Sequence, residues 1–301
     1  MVKDLCFEII ETCLNNCMFC SSNSNCNKTQ IIKFVDFKRT IDYFMANGGI
    51  EELSLSGGEP FLHPELIKMV EYSKSLGIRT VIFTSGVTNN IGTSQAEKTK
   101  ILDEMNRRLQ EINEKEPDND YLKQKVISFY TQLLNPSNFV PISKELLLEL
   151  QRIGLDKIVF DYQAYEYETD HTLMGRKEES RISLLKSLIT ASLIVSEVDV
   201  HFVPMKLNYK EIGDILEMLE IAEVKNISIL NFLPQGRGKI NQNDLQLSDE
   251  ELKEFFELLE KHKQNYSGNI RIGIPLQGED THKCTAGLEK LDIKFDGTVL
   301  P

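Results

Sequence analysis

The sequence predicts an α/β fold: a partial (β/α)6 TIM-type barrel carrying an inserted helical hairpin and a small C-terminal β-hairpin extension. Three observations predict it. Strand, helix and glycine turn recur at a regular step, giving six β segments that start at Leu5, Glu52, Ile78, Lys157, Val198 and Ile227. From about residue 94 to 135 that rhythm breaks into a highly charged stretch with two helical stripes. Near the end, Asp296-Gly297 separates two short β runs, the sequence signature of a hairpin turn. Six strands are fewer than the eight that close such a barrel, so it is expected to be open. The expected division is 1–240 for the barrel and 241–301 for a C-terminal helix and the extension.

In chain order, Leu5–Ile10 alternates as a strand and delivers the chain into a cysteine-rich loop. Phe34–Met45 has apolar residues at helical spacing and stops at Asn47-Gly48-Gly49. Glu52–Ser56 is a strand ending in Gly57-Gly58-Glu59-Pro60, Pro64 opens the next helix at its first turn, and Ile78–Thr84 is the third strand. Within the break, Ile101, Met105, Leu109 and Ile112 mark one helix, and Leu122, Val126, Tyr130 and Leu133 a second, with Glu116-Pro117-Asp118 as the turn. The rhythm resumes with a helix over 143–152, a strand over 157–162, a helix over 181–195, a strand over 198–204, a helix over 209–222 and a strand over 227–232. Ser248 and Glu251 form a capping box for the last amphipathic helix, and 270–274 reads as one more short strand.

The chain has 301 residues, 41% apolar and 27% charged, with a formal net charge of −12, which suits a globular enzyme and disfavours a nucleic-acid phosphate surface as partner. No stretch approaches the ~20 apolar residues of a membrane span, and no signal peptide is visible, so the expected location is the cytoplasm. Six unevenly clustered cysteines read as metal or catalytic thiols, not as a disulfide framework.

Half of those cysteines lie in Cys13-Leu-Asn-Asn-Cys17-Met-Phe-Cys20. Soft thiolates at this spacing suit an iron–sulfur cluster or zinc. Three thiolates leave one iron of a [4Fe–4S] cube open to a small molecule. Cys26 could close a four-ligand zinc site instead, and three buried hydrophobes on one helical face are a further reading, although the flanking Asn and Ser residues make a poor helix. Ligands of an open α/β barrel lie at the carboxyl ends of its strands, where Cys13, Glu59, Ser85, Asp161 and Pro204 fall.

These residues resemble the radical S-adenosylmethionine (SAM) superfamily. Cys13, Cys17 and Cys20 match its CxxxCxxC cluster motif, Phe19 the aromatic before the last cysteine, and Gly57-Gly58-Glu59-Pro60 its GGE motif, with the βα order extending the resemblance over roughly 5–240. The resemblance implies a [4Fe–4S] cluster whose open iron holds SAM. Reductive cleavage would give a 5′-deoxyadenosyl radical for hydrogen abstraction, fed by an electron donor such as flavodoxin or ferredoxin. Gly57, Gly58 and Glu59 would then receive the SAM ammonium, Ser85 and Asp161 its carboxylate or ribose, and Leu233 the adenine. The Ser-x-Asp-Gly pattern of peptide-modifying members is absent at Val159-Phe160-Asp161-Tyr162, and Met174 stands where their arginine would, with Arg176 nearby.

The tail, Cys284-x-Ala-Gly287 followed by Asp296-Gly297-x-Val299-x-Pro301, resembles the opening of a SPASM or twitch extension. That implies Cys284 as a ligand of an auxiliary [4Fe–4S] cluster and a natural chain longer than this one. The expected substrate is a peptide or protein. A small molecule of cofactor or natural-product biosynthesis is the alternative, supported by a first strand that begins too early for an N-terminal peptide-binding domain. A zinc-stabilised, non-catalytic interaction module is the alternative from another class. His63, His201, His262 and His282 show no metal spacing, and Gly236-Arg237-Gly238 is too short for a phosphate loop.

Overall fold

The computed structural model describes residues 2–89, 95–134, 139–273 and 285–301. Cys284, His282 and the last residue of the expected strand, Ile274, lie outside the described residues.

The six anticipated strands are β1 (Asp4–Ile10), β2 (Glu52–Gly57), β3 (Arg79–Thr84), β6 (Lys157–Asp161), β7 (Glu197–Phe202) and β8 (Asn226–Leu230). Two short strands, β4 (Val87–Asn89) and β5 (Phe139–Pro141), form a separate pair that the sequence did not announce. Three more, β9 (Asn269–Gly273), β10 (Lys290–Ile293) and β11 (Val299–Leu300), complete a nine-stranded sheet in the order β11-β10-β1-β2-β3-β6-β7-β8-β9. Every neighbour pair is parallel except β10 with β11. The fold is thus the expected partial barrel with a C-terminal antiparallel hairpin, but the C-terminal strands also extend the parallel sheet. β9 pairs with β8, and β10 pairs with β1 in the register Asp4↔Lys290 to Phe7↔Ile293. Both edges of a six-stranded open barrel carry unpaired backbone groups, and these strands satisfy them.

The helices are α1 (Phe34–Ala46), α2 (Leu66–Ser75), α3 (Gln95–Lys115), α4 (Asp120–Leu134), α5 (Lys144–Arg152), α6 (Tyr167–Met174), α7 (Glu178–Ile194), α8 (Ile212–Ile221), α9 (Arg237–Ile240), α10 (Gln242–Leu245) and α11 (Asp249–His262). In α1 only Phe37 and Ile41 are fully buried, and the Phe37 ring stands 5.4 Å from that of Phe7 on β1. Leu5, Phe7 and Ile9 face this outer core, each contributing about 1.5–3 kcal/mol of burial. Strand alternation sends Cys6 and Glu8 to the opposite, inner face. There they meet Ser56 of β2 and Asp161 of β6, while Asp199 and His201 of β7 line a neighbouring hollow. A closed TIM barrel fills this space with branched side chains; here it is polar and hollow.

Pro64 does not start a helix directly. A 3₁₀ turn over Pro60–Leu62 comes first, capped by the Glu59 carboxylate accepting from the Phe61 N–H, and α2 begins at Leu66. The short helices α6, α9 and α10 lacked enough periodicity to be anticipated. Residues 89–140 form a compact unit of their own, in which α3 and α4 make the expected hairpin, Asn119 accepting from the Leu122 N–H at the start of α4. Residues 1–88 and 141–301 form the other unit. Among the described residues no helix is long and apolar enough to cross a membrane.

The capping box of α11 is complete: Ser248 Oγ accepts from the Glu251 N–H at 3.2 Å, and the Glu251 carboxylate accepts from the Ser248 N–H at 2.8 Å. Replacing Ser248 by Ala is expected to lower the unfolding free energy by about 1 kcal/mol, read from urea midpoints at unchanged m-value. No change in midpoint would show that the cap is idle.

Candidate active site

The cysteine loop leaves β1 just beyond a register irregularity between Glu8 and Ile10 in its pairing with β2. Its backbone is then fastened on several sides. The Cys13 N–H donates to the Asn25 carbonyl at 3.2 Å, the Asn16 N–H to Met174 at 3.0 Å, and the Met18 N–H to Leu173 at 2.8 Å. Cys17, Met18 and Phe19 pack on a buried cluster that includes Leu173, Met174 and Phe232.

From the far side comes Arg237. Its Nε donates to the Cys17 carbonyl at 2.7 Å, its Nη2 to Ser24 at 2.8 Å and its backbone N–H to Cys20 at 2.9 Å. Asn241 Nδ2 adds a bond to the Met18 carbonyl at 2.9 Å. Gly236 makes this approach feasible, since a Cβ there would stand 2.4 Å from the Ser21 carbonyl oxygen. The Gly236-Arg237-Gly238 turn is therefore a clamp on the cysteine loop.

Cys13, Cys17 and Cys20 line one cavity of about 310 Å³, together with Phe19, Gly57, Gly58, Ser85 and Asp161. Of the other residues singled out from the sequence, Leu233 is 61% exposed and outside the lining, and Glu59 is wholly buried behind it. Glu59 Oε1 accepts from the Phe61 N–H at 3.1 Å and the Thr84 hydroxyl at 2.7 Å; Oε2 accepts from the Ser85 N–H at 2.8 Å and its hydroxyl at 2.6 Å. With four donors its lone-pair directions are taken. Burial pushes the carboxyl upward, opposed chiefly by the Ser85 and Thr84 hydroxyls. Of the two acceptors the GGE turn offers a ligand, the glycine carbonyls are thus the ones beside the cavity.

The glycines also serve the protein itself. The Gly58 N–H donates to the Ile10 carbonyl at 2.7 Å and the Glu59 N–H to Thr12 at 2.8 Å. A Cβ on Gly58 would lie 2.1 Å from the Thr12 carbonyl oxygen, so close approach of the cysteine-loop backbone demands glycine whatever the ligand needs.

Arg176 is the second buried charge. Its guanidinium donates to Asp170 at 2.9 Å, to the Ser85 carbonyl at 2.9 Å and to the Asp161 carbonyl at 3.3 Å. Asp161 turns its carboxyl to the cavity, where burial raises its pKa against the pull of Arg176.

The donor set suits a [4Fe–4S] cluster with SAM. Burial pushes the Cys13 thiol up to about 12 and the Cys17 thiol well above its ordinary value, the neighbouring cysteine charges adding to both, so a cationic centre would relieve the cost of the thiolates. Asn15, 2% exposed on the cavity wall, has no hydrogen-bond partner for either end of its amide among the described residues, nor has the Ser24 hydroxyl. Such buried groups call for a polar occupant. No three His, Cys, Asp or Glu side chains among the described residues converge tightly enough for a single ion.

Sequence reasoning missed Asn15, Arg237 and the inward-facing Glu8 and Asp292. The strand alternation of Cys6 and Glu8 carried a signal for one of them. Gly58→Ala is expected to lower iron bound after anaerobic reconstitution by about tenfold and to destabilise the fold by about 1–3 kcal/mol through overpacking. Full iron loading by this variant would show that the two loops need not touch.

Comparison with known proteins agrees with this geometry. Residues 7–126 match the family model described as the radical SAM superfamily. A Saccharolobus islandicus protein named "Probable GTP 3',8-cyclase" is 24% identical over 267 residues, which cover 87% of this chain and 67% of that protein. Among solved structures, Streptococcus suis SuiB bound to SAM has a TM-score of 0.66 at 14% identity, covering all of this chain. SuiB bound to its precursor peptide SuiA gives 0.67 at 15%. A native anSMEcpe structure with bound AdoMet gives 0.60 at 12%, covering 98% of this chain and 73% of that one. The chain spans about 60% of the length of SuiB. The matched segment holds both the three cysteines and the glycine turn that frames them, so over residues 7–126 the chain is similar to the radical SAM superfamily in the very residues that line the cavity.

Proposed function

We propose that this chain cleaves SAM reductively and directs the resulting radical at a hydrogen atom of a peptide or protein side chain. The observation that carries the chemistry is the convergence of three cysteines, the Gly57-Gly58 turn and Asp161 on one cavity at the carboxyl ends of the strands. When bound, a [4Fe–4S] cluster held by Cys13, Cys17 and Cys20 together with SAM would supply the radical chemistry. The protein's own part is to hold and enclose. Cys13, Cys17 and Cys20 would ligate the cluster, and the Gly57 and Gly58 carbonyls would accept from the SAM ammonium. Ser85 and Asp161 would meet its carboxylate or ribose. Phe19, Phe83 and Val159 supply apolar wall that keeps water from the reacting atoms. An external one-electron donor, such as a flavodoxin or ferredoxin, would complete the system.

The peptide reading is supported by the likeness in fold to SuiB, whose structure with SuiA holds a precursor peptide, over the whole of this chain. The GTP 3',8-cyclase likeness favours a small molecule. Charge argues against a nucleoside triphosphate. Arg237 is the sole cation on the cavity wall among the described residues, and two of its nitrogens are committed to Cys17 and Ser24 carbonyls. Glu8, Asp161 and Asp292 make that wall acidic. The auxiliary-cluster ligand Cys284 and the SPASM-like extension stay part of the proposal.

Anaerobically reconstituted protein with dithionite and SAM should release 5′-deoxyadenosine, and Cys17→Ala should lower both that yield and the bound iron to background. Unchanged cleavage by the variant would sink the assignment. GTP at millimolar concentration should leave the rate within about twofold; a tenfold stimulation, some 1.4 kcal/mol of barrier, would favour the small-molecule reading.

A further inference from the structure

On the side of the cavity formed by β1 and β10 stand two acids that the cluster and SAM do not explain. Glu8 is 6% exposed. Its Oε1 accepts from the Ser22 hydroxyl, while Oε2 has no partner among the described residues. On the neighbouring strand Asp292 sits in register with Cys6, whose thiol bonds to its carboxyl, and Asp292 Oδ1 is likewise without a partner. Both residues line the cavity.

Strand geometry fixes them there. Glu8 lies two residues beyond Cys6 and shares its inner face, while Phe7, Ile9 and Ile293 are locked into the opposite core. Neither acid can swing outward to water without breaking that packing. Lys294 acts on both carboxyls electrostatically, and burial still holds both above the usual carboxylate range. Two desolvated carboxylate oxygens facing one hollow are costly unless an occupant supplies donors and positive charge.

We propose that Glu8 and Asp292 form a cation-binding subsite, so that the substrate carries an alkylammonium or guanidinium group seated against these two carboxylates on the inner face of the paired strands β1 and β10. This rests on the radical SAM reading for its role in catalysis, since it would anchor the substrate beside β10, on the strand face that leads into the cysteine loop. Carboxylates accept charge-assisted hydrogen bonds from either cation, and a guanidinium can reach two acceptors at once. A Lys or Arg side chain of a peptide and a free amine present the same chemistry.

The test is equilibrium dialysis with the full-length, cluster-loaded protein. The probes are Nα-acetyl-lysine amide, Nα-acetyl-arginine amide, the neutral Nα-acetyl-norleucine amide, and n-butylamine. At least one amide cation should bind about tenfold more tightly than norleucine amide, and that preference should fall below about threefold in Glu8→Gln and in Asp292→Asn. Tighter binding of the amide cations than of butylamine assigns the site to a peptide; the reverse assigns it to a free amine, and either supports the subsite. Equal binding of norleucine amide to the unmodified protein overturns the proposal whatever the variants do. So does a preference that persists in folded variants, checked by thermal unfolding. Reductive SAM cleavage by the unmodified protein is assayed separately. Its absence would count against the radical reading, whereas cleavage without a cation preference removes the acidic subsite alone.

Discussion

The Glu59 carboxylate is the knot on which the site depends. It stands at the end of β2, caps the 3₁₀ turn that follows, and takes donors from Thr84 and Ser85 at the end of β3. Arg176 works from the other side, binding the carbonyls of Ser85 and of Asp161 at the end of β6. Two buried groups of opposite sign therefore fix three consecutive strand ends at Ser85. Removing either would strand donors or acceptors where no water can replace them, and such losses commonly exceed the worth of the bond itself.

That arrangement explains why Gly57, Gly58 and Glu59 belong together. The carboxylate anchors the turn, and the glycines bring it against Ile10 and Thr12, at the root of the cysteine loop. The motif reads from sequence as a ligand-binding stretch. In three dimensions its acid is consumed by the protein, and its backbone is what faces the cavity.

Much of the fold was legible because parallel βα units announce themselves locally. Hydrophobic runs, glycine stops and capping residues located the six strands and the longer helices within a few residues, as at Ser248, whose hydroxyl caps α11. The site was legible where it is local, in the cysteine spacing and the Gly57-Gly58-Glu59 turn. What escaped depends on distant pairing. Nothing near Lys290 says that it will lie beside Asp4, and a four-residue helix such as α9 is too short for periodicity to reveal. Glu8 looked like the polar member of an alternating strand, and only the parallel neighbour Asp292 shows that its polar face is an inner wall.

The Arg237 clamp reaches Cys17 across 220 positions of sequence. A ribosome makes the cysteines well before the side chain that closes their loop. During synthesis the thiols thus lack the clamp that shapes them while the intervening chain is added. At roughly 5–20 residues per second this interval is on the order of ten seconds or more. The clamped form of the cysteine loop can therefore arise only after that interval, once Arg237 is available to reach the Cys17 and Ser24 carbonyls.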